Sequence, residues 1–219
     1  MIGKRAFSVM YMLLLTLGFT SAVTLVYGVN EERIERNSRL KLQKIVLDVL
    51  NVPVPFPSQP SNIIEIFEDR VRIYILNGES IYMALSEDRR DIQGYAFRMS
   101  GAGVWGPIHG MMGVSHDLDR VLGVAFLDHS ETPGLGGRIS EEGFRNQFKG
   151  QPLPPERIKD TTYFRVQPPQ ATVRSPNEID AVTGATGTSN AVERMVNGAL
   201  NRYLPFLAEL RLEQEELTP

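Results

Sequence analysis

Three short segments hold the residue types that could do chemistry. Residues 180–190 read DAVTGATGTSN, an acid followed by four hydroxyl-bearing side chains and two glycines, and lead directly into the amphipathic run AVERMVNGALNRYL. Thr188 or Ser189 can cap the helix that follows, while glycines at 184 and 187 let the backbone turn tightly and approach a ligand. The free amides and dipole of such a helix start also favour a phosphate. Residues alone admit both readings, and the simple capped helix is the commoner. The segment is not a GxxxxGK[ST] phosphate loop, because it has no lysine. The second segment, GVAFLDHSETPGLGGRIS (123–140), ends a strand in polar groups and then forces a compact turn at PGLGG. Three glycines in four positions exceed what a hairpin needs. They suggest a backbone-lined cradle for a planar or anionic ligand. The third, GAGVWGPIHG (101–110), contains the single tryptophan, Trp105, in a glycine-rich setting. A lone tryptophan is more often core than contact, but flanking glycines favour a stacking surface.

Composition excludes several chemistries. The chain of 219 residues has no cysteine, so it offers no disulfide, thiol nucleophile or thiolate-held iron-sulfur cluster. His109, His116 and His129 fit no standard zinc spacing, and no metal site is expected. A net charge of −3 without a basic cluster beyond the N-terminus argues against nucleic acid as a partner. No strand is followed by G-x-G-x-x-G, so the sequence gives no sign of a dinucleotide-binding fingerprint.

The elements that must position these segments follow from periodicity. Ala6 to Val29 carries no charge, and at about 1.5 Å per residue it is long enough for a bilayer core of about 30 Å. An uncleaved anchor fits better than a secretory signal, whose apolar region is shorter. Lys4 and Arg5 precede the span and Glu31 and Glu32 follow it, which puts the N-terminus in the cytoplasm and the rest outside a bacterial inner membrane. The expected division is an anchor over 1–30, a membrane-proximal helix and proline-rich connector over 31–61, and an extracytoplasmic domain over 62–219. Within that domain, residues 70–85 form a hairpin around Asn77 and Gly78, with further strands at 94–99, 108–115, 121–129 and 161–167. Ser140 caps a short helix, and a long helix follows residue 190, with a kink or restart at Pro205. The expected class is α+β: an N-terminal transmembrane helix, then an antiparallel sheet with flanking helices, packed on one sheet face.

Taken together, the N-terminal span, the ERIERN helix, GAGVWGPIHG, HSETPGLGG and the D-x-x-[ST]-G-A-T ending resemble the FMN-binding subunits of membrane redox pumps. The pumps in question are the sodium-translocating NADH:quinone oxidoreductase and the Rnf complex, whose FMN-binding subunits are counterparts of one another. The resemblance implies FMN held covalently, through a phosphoester that a separate flavin transferase makes to the last threonine of the motif. By position this is Thr186, with Asp180, Thr183, Gly184 and Ala185 completing the recognised motif and Thr188 and Ser189 at the helix start. It further implies that Glu131, Thr132, Gly134, Leu135 and Gly136, with Trp105, form the wall for the flavin ring. The expected function is electron relay, without catalysis of its own, among the other subunits of a membrane respiratory complex. The alternatives are a free-standing membrane-tethered flavoprotein and a structural subunit that has lost its flavin.

Overall fold

The computed structural model describes residues 2–76, 78–154, 162–169 and 176–217. Compactness divides the chain into Met1–Lys41 and Leu42–Pro219. The first unit is helical, and α1 (Ile2–Val49) runs without a break through both segments that the sequence suggested. By length and composition its stretch from Ala6 is able to cross a membrane. Phe7, Leu13, Leu17, Phe19 and Leu25 all stand exposed on it, a surface suited to hydrocarbon rather than water.

The second unit begins with the last turns of α1. Asn51 takes the left-handed conformation (φ +53°) that ends this helix, and the Val52 amide donates back to the Leu47 carbonyl at 2.9 Å. After the proline-rich connector, α2 (Pro60–Arg70) starts with proline, whose fixed φ suits a first turn, and buries Ile63 and Phe67. The sequence reading did not anticipate α2.

Five consecutive strands then form an antiparallel meander: β1 (Val71–Leu76), β2 (Glu79–Leu85), β3 (Ile92–Ala102), β4 (Pro107–Ser115) and β5 (Val121–Asp128). The β1–β2 hairpin closes with Leu76 opposite Glu79, and Gly78 supplies φ +82°; Asn77 lies outside the described residues. On β3 the side chains alternate. Tyr95, Phe97 and Met99 enter one apolar core and Ala96 the other, as a period of two requires.

The first core lies against α4 (Thr186–Leu217), which contributes Val192, Met195, Val196, Leu200 and Tyr203. Phe97 stacks on Tyr203 with ring centroids 4.5 Å apart. Pro205 neither ends nor restarts α4 in this structure. The second core joins Tyr82, Ala96, Met111 and Ala125 to Val46, Leu47, Val49 and Leu50 of α1 and to Ile63 and Phe67 of α2. Helices therefore cover both sheet faces, not the one expected from the sequence. The reason is visible at Gly113 and Gly123, paired across β4 and β5. A Cβ on Gly113 would strike the Val49 carbonyl, and one on Gly123 would lie 3.1 Å from Val49 Cα. The end of α1 sits directly on a sheet surface cleared of side chains.

Beyond β5, a 3-10 turn (Gly136–Ser140) leads into the short α3 (Glu142–Arg145), whose cap position is Glu141. Ser140 does not cap it; its hydroxyl pairs with His129 Nε2 at 2.9 Å. The strand expected over 161–167 is β6 (Arg165–Gln167). It pairs in parallel with β7 (Glu178–Asp180) instead of extending the meander, and residue 161 lies outside the described residues. Asn197 on α4 explains its placement: Oδ1 accepts from the Tyr163 and Phe164 amides at 2.8 and 2.9 Å, and Nδ2 donates to the Phe164 carbonyl at 2.8 Å.

Candidate functional site

Three connections converge at one end of the sheet. The first is the tip of the β3–β4 hairpin, residues 103–106, closed by the Gly103 amide donating to the Gly106 carbonyl at 2.8 Å. It carries Val104 and Trp105, which are 53% and 70% exposed. Exposure excludes the core reading of this tryptophan. The second is the turn after β5, in which the Thr132 carbonyl accepts from the Leu135 and Gly137 amides at 3.1 and 2.9 Å. Gly134 holds φ +75° there, and Leu135 is left 47% exposed. The third is the passage from β7 into α4. Gly184 holds φ +78°, and the Ser189 amide donates to the Ala185 carbonyl at 3.0 Å, which makes Ala185 the residue before the first turn.

Helix α4 therefore begins at Thr186, and Thr188 and Ser189 lie inside its first turn, not at its cap. Both hydroxyls are buried and engaged elsewhere. Ser189 Oγ accepts from the Val182 amide at 3.0 Å, and Thr188 Oγ1 donates to Glu131 Oε2 at 2.5 Å. Thr183 and Thr186 are exposed. Asp180 is half-buried in β7, its amide donating to Gln147 Oε1 at 2.7 Å. Thr132 is exposed in the turn, and Gly136 is buried beneath it.

Glu131 departs most from its expected place. It is 4% exposed and faces inward. Oε1 accepts from the Val104 and Trp105 amides at 2.8 and 3.2 Å, while Oε2 takes the Thr188 hydroxyl. Burial works to raise its pKa, but the Thr188 hydroxyl, the two amides and the charge of His129 outweigh burial and hold the carboxyl below its ordinary range. It is therefore a tie within the scaffold, not part of an open wall.

Two glycines near Thr186 in sequence let apolar side chains approach this helix start. A Cβ on Gly184 would lie 3.3 Å from Leu135 Cδ2, and one on Gly187 would lie 3.0 Å from Val104 Cγ2. Val104 is the residue that sequence reasoning missed; its only local signal is its position beside Trp105 in the glycine-rich segment. The result is an exposed Thr186 at a helix start whose neighbouring glycines are approached by exposed Leu135 and Val104, with exposed Trp105 next to Val104 in the chain. These residues fit FMN: the outward amides of a helix's first turn suit its phosphate, and the apolar border suits its planar ring. Among the described residues, no group of acids and histidines could hold a metal ion.

Comparison with known proteins agrees with this geometry. The family model for the FMN-binding domain matches residues 103–201. The NqrC subunit of the Na(+)-translocating NADH-quinone reductase from Chlamydia pneumoniae is 34% identical over 166 residues, covering 70% of this chain and 51% of that protein. Its counterpart from Yersinia pestis is 32% identical over 143 residues, covering 64% and 50%. The chain thus spans about half the length of the curated relatives it matches. Among solved structures, NqrC of Shewanella oneidensis superposes with a TM-score of 0.68 at 18% identity, covering 80% of this chain and 99% of that one. The corresponding reductase subunit from Parabacteroides distasonis superposes with a TM-score of 0.63 at 24% identity, covering 81% and 96%. Over residues 103–201 the chain thus matches the FMN-binding domain, and in sequence and fold it is similar to the NqrC subunits of Na(+)-translocating NADH-quinone reductases.

Proposed function

We propose that this protein is a membrane-anchored electron-transfer flavoprotein subunit that carries FMN on Thr186 through a phosphoester. The observation that carries the reading is the setting of Thr186: an exposed hydroxyl on the first residue of α4, beside glycines that bring Leu135 and Val104 close. In attachment, Thr186 Oγ forms the new bond to phosphorus and gives up its proton. The nucleotide of an activated flavin donor leaves, and a separate flavin transferase supplies the catalysis. Asp180, Thr183, Gly184 and Ala185 form the motif that this enzyme reads, with Thr183 and Gly184 on the surface.

When bound, FMN supplies reversible electron transfer; the protein's part is to set its position and surroundings. The first-turn amides and helix dipole stabilise the phosphate's negative charge. Val104, Trp105 and Leu135 offer the ring a water-poor border, and Glu131 holds the Trp105 loop against the helix start. The chain relays electrons among the other subunits of a respiratory oxidoreductase. Residues 1–30 anchor it in the inner membrane with the N-terminus in the cytoplasm, residues 31–61 lead away from the membrane, and residues 62–219 hold the flavin outside.

The test is the intact mass of the chain co-expressed with a flavin transferase. Covalent FMN, with net loss of water, adds about 438 Da and leaves a fluorescent band in a denaturing gel. Thr186→Val removes both signals. A fluorescent band that survives Thr186→Val sinks the assignment of this hydroxyl, and recovery in mild detergent without other redox subunits counts against the complex.

A further inference from the structure

We propose that Glu131 is the positioning residue of the flavin site, one buried carboxylate that holds the Val104–Trp105 loop and the Thr186-bearing helix start in fixed register. The inference rests on the flavin reading above only for its purpose; the tie itself is a property of the protein without cofactor. Oε1 receives the two successive amides at the loop tip, and Oε2 receives Thr188, two residues beyond Thr186. A single side chain thus joins segments more than 80 positions apart in sequence.

Two glycines leave the space it fills. A Cβ on Gly103 would fall on Glu131 Oε1, and one on Gly136 would fall on Thr188 Oγ1 and lie 2.9 Å from Glu131 Oε2. A side chain at either position would push the carboxylate out. The choice of an acid is also informative. Burying an ionised group costs stability that an apolar residue of similar size would not, and the donors satisfying this one are two amides and a hydroxyl. What an apolar residue does not provide is direction. A carboxylate fixes donors on two sides at once, while the Trp105 ring, on an anchored backbone, remains exposed to meet a ligand. Preorganising a contact in this way lowers the ordering cost of binding.

Trp105 is the chain's single tryptophan and so reports on the loop directly. The experiment uses the full chain in detergent, made without a flavin transferase, and reads Trp105 anisotropy and acrylamide quenching. Glu131→Ala, Thr188→Val and Gly136→Ala are expected to lower the anisotropy and raise the quenching constant while far-UV circular dichroism stays unchanged. Thr188→Ser, which keeps the hydroxyl, is expected to behave as the parent. In chains that carry the flavin mass, the same three variants lose the quenching of Trp105 by flavin and shift the flavin midpoint potential. If Glu131→Ala does not fold, Thr188→Val and Gly136→Ala decide. Folded variants with unchanged Trp105 anisotropy overturn the proposal, as does a Thr188→Ser protein that matches Thr188→Val. A parent chain that never gains the flavin mass sinks the flavin reading, while the cofactor-free Trp105 measurement still decides the tie.

Discussion

Replacing Thr188 by valine keeps the shape of the side chain and removes one hydrogen bond, the 2.5 Å donation to Glu131 Oε2. Both partners are buried, so water does not replace the lost donor. A hydrogen bond to a charged group contributes about 1.5–3 kcal/mol. For a unit of this size each kcal/mol moves Tm by about 2–4 °C, which gives an expected fall of about 3–12 °C at neutral pH. The pH dependence adds a sign. The Glu131 carboxyl is held below its ordinary value of 4.5, with Thr188 the foremost of the groups that lower it against the opposing effect of burial. A depressed carboxyl contributes its stabilisation in full above the unfolded value and loses it as pH falls through the folded one. The Tm gap between parent and Thr188→Val is therefore fully open at pH 7 and narrows as pH drops below 4.5 towards the folded pKa. Thermal unfolding of the detergent-solubilised chain, followed by circular dichroism across pH 3–8, measures both effects. A double-mutant cycle with Glu131→Gln should return a coupling of about 1 kcal/mol or more. An unchanged Tm at pH 7, or a gap that widens on acidification, refutes the reasoning.

Other consequences are as direct. Gly113→Ala drives a methyl into the backbone at Val49, which a side-chain rotation does not relieve, so a loss of about 1–3 kcal/mol is expected. Gly198→Ala, on the exposed side of α4 with open space around it, should instead gain about 0.5–1 kcal/mol; chemical denaturation separates the two. Asn197→Ala leaves the Tyr163 and Phe164 amides without their acceptor, at about 1–3 kcal/mol each, and should speed hydrogen exchange at those two amides specifically. Thr186→Val, whose side chain is exposed, should abolish the flavin mass gain with a Tm change of less than about 2 °C, since surface substitutions seldom cost more than about 0.5 kcal/mol.

Much of the scaffold is readable from local pattern. The uncharged run from Ala6, the Gly78 turn and the alternation along β3 each express a single periodicity or turn preference, and the structure contains each of them. The reading fails where a segment's fate depends on a distant partner. Residues 163–167 have strand-like composition, yet only residues 165–167 become a strand, paired with β7, while the backbone at 163 and 164 is bound by Asn197 of α4. Ser140 has the right type for a cap, but His129 takes its hydroxyl. Residues 60–70 do carry a local signature, a proline at the first turn and apolar residues at helical spacing, which the sequence reading passed over; Ile63 and Phe67 bury against the second sheet face.

At the site the division is the same. The sequence by itself determined that a hydroxyl-rich, glycine-punctuated segment stands before an amphipathic helix, because hydroxyl chemistry, turn conformation and helix period are properties of neighbouring residues. Which hydroxyl faces solvent was a tertiary decision. Thr188 and Ser189 are held by Glu131 and Val182, Thr186 remains exposed, and Val104 and Leu135 reach the glycines beside it. Apart from the local Val182–Ser189 bond, those outcomes depend on contacts between segments about 50 to 80 positions apart, formed only when the β3–β4 hairpin, the turn after β5 and the start of α4 meet, and no periodicity within one segment encodes such a meeting.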